Sequence, residues 1–176
     1  LNHASINYGC FLSRQDFFRY NHLDLNHLES QLKKIPINSQ KIIISETLFS
    51  MDGDFVDIDG IRFLSKKYKS ILYLDEAHAI GVYGKNGFGL FSNYKKNINE
   101  IVVGTFSKSL GSYGSFVSCS KHFYKIIVNN CGGLIYSTVL PPSVLGSIFA
   151  AITKVDKVTN LRNKIKDNYE YIIKSL

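Results

Sequence analysis

Short apolar runs alternate with amphipathic stretches along most of this chain. Residues 41–45 carry three successive isoleucines, residues 71–74 read Ile-Leu-Tyr-Leu, and residues 101–103 read Ile-Val-Val. Continuous apolar runs of this length suit strands covered on both faces, as in a parallel sheet. Between the first two, residues 56–69 set Ile58, Ile61, Phe63, Leu64 and Tyr68 at helical spacing, after an aspartate-rich start and before a basic end. That polarity complements a helix dipole and predicts an amphipathic helix. Residues 25–35, 122–130, 141–154 and 158–176 predict four more helices, the third with Pro142 in its first turn. Residues 115–118 predict a fourth strand. Only a short connection containing Gly111 and Gly114 precedes it, so it should run antiparallel to its neighbour. The expected fold class is α/β: a mainly parallel sheet with helices on both faces and one antiparallel strand.

Composition narrows the class further. The chain has 176 residues, 45% of them hydrophobic and 20% charged, which suits one soluble globular domain with a proper core. The net charge of +7 comes from scattered lysines rather than one stripe. It reads as solvated surface, with some attraction for an anionic substrate, and not as a nucleic-acid footprint. The three cysteines, Cys10, Cys119 and Cys131, have no metal-ligand or disulfide spacing, which fits a reducing cytoplasm, and no metal is expected. Residues 131–153 carry no charge over the length of a membrane span, but Gly132-Gly133 and Pro141-Pro142 would break such a helix. The stretch is expected to be a buried strand or loop followed by a proline-started helix. Leu1 stands where a start methionine would, and residues 1–5 show no capping or signal pattern. The chain is therefore expected to be an internal piece of a longer protein.

The candidate chemistry lies just after the expected strands. Lys108 sits in Gly104-Thr105-Phe106-Ser107-Lys108-Ser109-Leu110-Gly111, and Asp75-Glu76-Ala77-His78 follows the strand ending at Leu74. In sheets of this kind, ligands bind beyond the carboxyl ends of the strands. A lysine for an imine, hydroxyls for a phosphate and an aspartate for a ring nitrogen are the parts needed to hold pyridoxal phosphate. Each part has an ordinary alternative. Asp75 could cap the next element. His3 could be a solvent or core histidine, or an imidazole stacked on a pyridine ring. Ser50 could bond a phenolate oxygen, or serve the turn that Met51-Asp52-Gly53-Asp54 predicts. Asp75 to His78 also spells the DEAH tetrad of certain helicases, but the phosphate loop that reading needs is absent from these residues.

Five segments in order add a resemblance. They are Asn2-His3-Ala4-Ser5; Glu46-x-x-Phe49-Ser50-Met51-Asp52-Gly53-Asp54; Asp75-Glu76-Ala77-His78-x-x-Gly81-x-x-Gly84; Gly104-Thr105-Phe106-Ser107-Lys108; and Tyr136-Ser137-Thr138-x-x-Pro141-Pro142. Together they resemble the α-oxoamine synthases, pyridoxal-phosphate enzymes of the aspartate-aminotransferase fold. The stretch Arg19-Tyr20-Asn21-His22-Leu23-Asp24 is similar to the biotin-pathway branch, with Leu23 where asparagine is common.

The resemblance implies roles, residue by residue. Lys108 would bind the cofactor covalently and move the substrate's α-proton. Asp75 would pair with the ring nitrogen, His78 and Ser50 with the phenolate oxygen, and Thr105 with phosphate. His3 would stack on the ring and orient substrate. Ser137 and Thr138 would reach the cofactor phosphate of the neighbouring subunit, which implies a homodimer with shared sites. The implied substrates are an amino acid, L-alanine, and an acyl thioester, pimeloyl-CoA or its carrier-protein form, joined with loss of CO2. Residues 1–157 would form part of the large cofactor domain, and residues 158–176 a helix leading to a small domain. An upstream glycine-rich segment and a downstream arginine would complete the site, so this piece alone is expected to be inactive. A non-catalytic partner subunit keeping the fold is a further alternative, against which the presence of Lys108 speaks.

Overall fold

A computed structural model describes residues 2–176. The reading of Leu1 lies outside the described residues. A four-stranded sheet of order β1-β2-β3-β4 forms the centre, from β1 (Ile42–Glu46), β2 (Ile71–Asp75), β3 (Glu100–Thr105) and β4 (Ser115–Ser118). The first three strands are parallel neighbours, and β4 runs antiparallel to β3. All four expected strands are present within two residues of their expected bounds.

Two helices cover one face of the sheet. In α2 (Leu25–Lys33), the Asp24 carboxylate accepts the His27 N–H at 2.8 Å and caps the first turn. In α3 (Ile58–Lys67), Asp57 accepts from Gly60 N in the same way at 2.9 Å, and Lys66 and Lys67 close the basic end. Leu28 and Leu32 of α2, and Ile58, Ile61 and Leu64 of α3, bury against Ile43, Leu72, Leu74 and Val102 of the sheet. Each such side chain, fully buried, contributes about 1.5–3 kcal/mol through the hydrophobic effect. Phe63, counted among the apolar positions of this helix, points outward and is exposed.

The opposite face differs from the expectation of strands buried on both sides. Along β2 and β3 burial alternates residue by residue, and Ile42 and Val117 are exposed. The helix on this side is α1 (Ala4–Leu12), which the sequence reading did not anticipate. Asn2 Nδ2 donates to Ile44 O at 3.3 Å, and Cys10 lies close enough to Tyr73 to act on its hydroxyl. The His3 side chain caps α1 by accepting from Ser5 N, so residues 1–5 do contain a cap after all.

After β4 come α4 (Lys121–Asn130), the single turn α5 (Gly132–Ile135), α6 (Pro142–Ile152) and α7 (Thr159–Ser175). Residues 131–141 are not a buried strand or loop: Tyr136 is 89% exposed, and Leu134 and Val139 are also exposed. An uncharged segment is not thereby a buried one, because burial needs a facing surface. No helix among the described residues is long and apolar enough to cross a membrane.

Candidate active site

The parallel strands end side by side, and their last residues carry the polar groups. Glu46 of β1 pairs in register with Asp75 of β2, and Asp75 pairs with Val103 of β3. Side chains two apart on a strand share a face. Thr105 therefore projects on the same face as Val103, above the half-open side of the sheet.

Beyond Thr105 the chain makes a tight loop and returns as β4. Phe106 N donates to Gly114 O, Ser112 N to Phe106 O and Gly111 N to Lys108 O. Gly111 and Gly114 have positive φ, which lets the loop reverse within so few residues. Thr105 Oγ1 donates to Gly114 O at 3.0 Å and lies 2.7 Å from Ser107 Oγ, while Ser107 N donates to Thr105 Oγ1 at 3.2 Å. Two hydroxyls and a backbone amide thus cluster at the loop entrance. Lys108 lies at the tip, with its Nζ 2.5 Å from His78 Nε2.

Ser109 ties this loop to the turn after His78 by donating from Oγ to Ile80 O. Gly81, at φ +85°, leaves the room for Ser109 Oγ that any Cβ would occupy. Asp75 Oδ1 accepts the Ala77 N–H at 2.8 Å and closes the turn after β2; no helix starts there for it to cap. Partial burial lowers the His78 imidazole below its usual value, and the Lys108 charge adds to the effect. Lys108 is exposed by surface area, yet the atoms around its ammonium remove enough water to lower its pKa against the opposing pull of Asp75 and Glu46.

His3 approaches from α1. Its backbone N–H donates to Glu46 Oε1 at 2.5 Å, and its Nδ1 lies 2.8 Å from Ser5 Oγ. Ser50 is exposed in the turn between Leu48 and Phe55, which bridge as an antiparallel pair. His22 Nε2 meets Asp54 Oδ2 at 2.9 Å, with its ring edge-on to Phe49 at 4.5 Å, and so braces that turn from outside. Asp52 brings a third ligand-type atom to His22 and Asp54, all within 4.8 Å of one another.

The structure therefore brings Lys108, His78 and Asp75 together at one edge, with Thr105 at the root of the Lys108 loop and His3 held through Glu46. Ser137 and Thr138 stand on the exposed segment after α5. Ser137 Oγ donates to Leu134 O at 3.2 Å, and neither residue hydrogen-bonds to the Lys108 cluster. Sequence reasoning assigned no role to Glu46 or Glu76. Both are buried, and neither a spacing rule nor a flanking residue signals that. Glu76 accepts the Phe91 N–H at 3.1 Å and holds the loop of residues 84–91 against the sheet end. Two surface clefts lie elsewhere, beside Leu32, Pro36 and Tyr68 and beside Phe11, Arg14 and Phe17, and contain none of the site residues.

An amine of lowered pKa beside an imidazole, a carboxylate at the next strand end and a hydroxyl pair at a glycine-bounded loop are the kinds of group that pyridoxal phosphate would need. The donor set fits that cofactor. Comparison with known proteins agrees. The family model for aminotransferases of class I and II matches residues 1–176, and the chain belongs to that family. Within it, the relatives that the chain resembles are α-oxoamine synthases. A curated protein of Magnetococcus marinus, named "Putative 8-amino-7-oxononanoate synthase", is 46% identical over 94% of this chain and 42% of its own length. A serine palmitoyltransferase from S. paucimobilis with bound PLP-myriocin aldimine superposes with a TM-score of 0.88 at 30% identity, over 95% of this chain and 44% of that one. The 8-amino-7-oxononanoate synthase of Francisella tularensis gives 0.79 at 29% identity, over 94% of this chain and 48% of that one. The chain thus spans less than half the length of these relatives.

Proposed function

We propose that this chain is the central part of the cofactor domain of an 8-amino-7-oxononanoate synthase. The whole protein would condense L-alanine with pimeloyl-CoA, or its carrier-protein thioester, releasing CoA and CO2 in biotin synthesis. The observation that carries the reading is the 2.5 Å approach of Lys108 Nζ to His78 Nε2 at the strand end bearing Asp75. The names of the relatives support the choice of substrates. The serine palmitoyltransferase neighbours make another α-oxoamine synthase the second reading.

Bound pyridoxal phosphate supplies an electron sink for a carbanion at the amino acid's α-carbon. The chain's own residues do the rest. Lys108 would hold the cofactor covalently and would take and return the α-proton at its Nζ; a lowered pKa leaves more of that amine neutral near pH 7. Asp75 keeps the ring nitrogen protonated by opposite charge. His78 and Ser50 bond the phenolate oxygen. His3 covers the ring face and orients the substrate. Thr105 binds phosphate, and Ser137 and Thr138, from their exposed segment, serve the site of a second subunit in a homodimer. We assign residues up to 157 to the large domain, and α7 to the connection with a small domain. The unpaired cysteines support a cytoplasmic enzyme.

The test is reduction with borohydride in the presence of pyridoxal phosphate, followed by peptide mass spectrometry. The wild-type whole protein should carry the reduced cofactor on Lys108, and Lys108→Ala should carry none. Equal results for the two proteins would remove Lys108 from this role. Activity with L-alanine, L-serine and glycine in turn then sorts the substrates.

A further inference from the structure

Glu46 is a buried carboxylate at this edge to which the reading above gives no task. It is 3% exposed, ends β1, and stands in register beside Asp75. Its Oε1 accepts the backbone N–H of His3. Two residues earlier on the same face, Ile44 O accepts from Asn2 Nδ2. Asn7 Nδ2 closes the segment on itself by donating to Asn2 O at 3.0 Å. These bonds dock residues 2–3 onto the end of an edge strand. Among the described residues the His3 ring hydrogen-bonds within its own helix, its Nδ1 meeting Ser5, and not to the sheet. The place of the imidazole, near enough to His78 to weigh on its charge, is therefore set through the backbone.

We infer that Glu46 is a positioning residue, which fixes the His3 imidazole at the cofactor edge by holding the His3 backbone amide. The inference rests on the cofactor reading for its consequence in catalysis, but the anchoring itself does not. A carboxylate, a carboxylic acid and a carboxamide all present an oxygen that can accept this N–H. Glu46→Gln should therefore preserve the anchor. Glu46→Ala removes it. Glu46→Asp keeps the charge but draws the acceptor back by one methylene. Burial raises the Glu46 carboxyl above its ordinary value, opposed by the His3 N–H and the Lys108 charge.

The first arm uses the whole protein without cofactor and follows hydrogen exchange of the peptide containing residues 2–12. Glu46→Ala and Glu46→Asp should speed exchange there by about tenfold, the scale of one lost hydrogen bond, and Glu46→Gln should match wild type. The second arm uses the holoenzyme. The KM for the amino acid should rise about tenfold in Glu46→Asp, with a smaller change in kcat, and stay within about threefold of wild type in Glu46→Gln. His3→Ala combined with Glu46→Asp should be no worse than His3→Ala alone, because without the imidazole the anchor has nothing left to place. Unchanged exchange in Glu46→Asp overturns the inference whether or not the cofactor binds. So does a KM rise in Glu46→Gln equal to that in Glu46→Asp, or additivity with His3→Ala. Failure of the cofactor reading itself would show separately, as absence of borohydride-fixed cofactor on Lys108 of the wild type.

Discussion

Lys108 and His78, thirty residues apart in the chain, place Nζ and Nε2 within 2.5 Å of each other. Neither residue could reach the other without the parallel pairing of β2 and β3, which sets their two loops on one edge. Burial lowers the pKa of both groups; the Lys108 charge adds to the effect on the His78 imidazole, while Asp75 and Glu46 oppose it at the Lys108 amine.

The first prediction concerns the Lys108 amine. Its pKa lies below the ordinary lysine value of 10.5, so its neutral fraction rises at lower pH than that of a free lysine side chain. In cofactor-free protein, acylation of Lys108 followed by mass spectrometry should show a midpoint below 10.5. Asp75 favours the charged ammonium, so Asp75→Asn should move that midpoint lower still. An upward move would reverse the sign assigned to Asp75.

Glu76 predicts a pH dependence of stability. Burial raises its carboxyl above 4.5, against hydrogen bonds from Thr47, Phe91 and Leu90. The folded chain thus holds this proton more tightly than the unfolded chain does. The resulting contribution is full below the ordinary glutamate range and is lost as pH rises through the raised folded value. Glu76→Gln should flatten that part of the stability profile, with urea midpoints compared between about pH 4 and about pH 8. Glu76→Ala leaves the Phe91 N–H without its acceptor and should cost about 1–3 kcal/mol.

Arg62 and Glu100 give a packing test. Arg62 Nε donates to Glu100 Oε1 at 2.7 Å, and the guanidinium lies over the rings of Phe91 and Tyr94 at 5.4 and 5.1 Å. Glu100 is 4% exposed at the start of β3. Arg62→Ala leaves that carboxylate without its cation and should lower stability by about 3 kcal/mol in denaturant titration. Arg62→Ala combined with Glu100→Gln should recover part of the loss, since the uncompensated charge is then gone.

Leu23 carries backbone strain. Its φ is +56°, a conformation that costs an L-residue about 1–2 kcal/mol and that asparagine tolerates better than most. That backbone suits the asparagine that the resemblance leads one to expect there. At 37% exposure Leu23 has little burial to lose. Leu23→Asn should raise the unfolding free energy by about 0.5–1 kcal/mol, read as a higher melting temperature. A lower one would mean that the side chain is worth more than the strain.

Local information was enough for the four strands and for the helices other than α1 and the single turn α5. The apolar runs that became β1, β2 and β3, and the aspartates that cap α2 and α3, act on neighbours within a turn or a strand, so their sequence pattern suffices. The nearness of Lys108, Asp75 and His78 was also legible, because parallel strands deliver their following loops to a common edge. What lies between distant segments was not legible. That His3 caps a helix and is tied to Glu46, that Glu46 and Glu76 are buried carboxylates, and that residues 131–141 face outward all depend on which surface meets which. A hydrogen bond across 43 positions, such as that from His3 to Glu46, leaves no periodicity in the chain. Only the folded arrangement decides it, because burial and pairing are properties of two surfaces together and the sequence writes each surface separately.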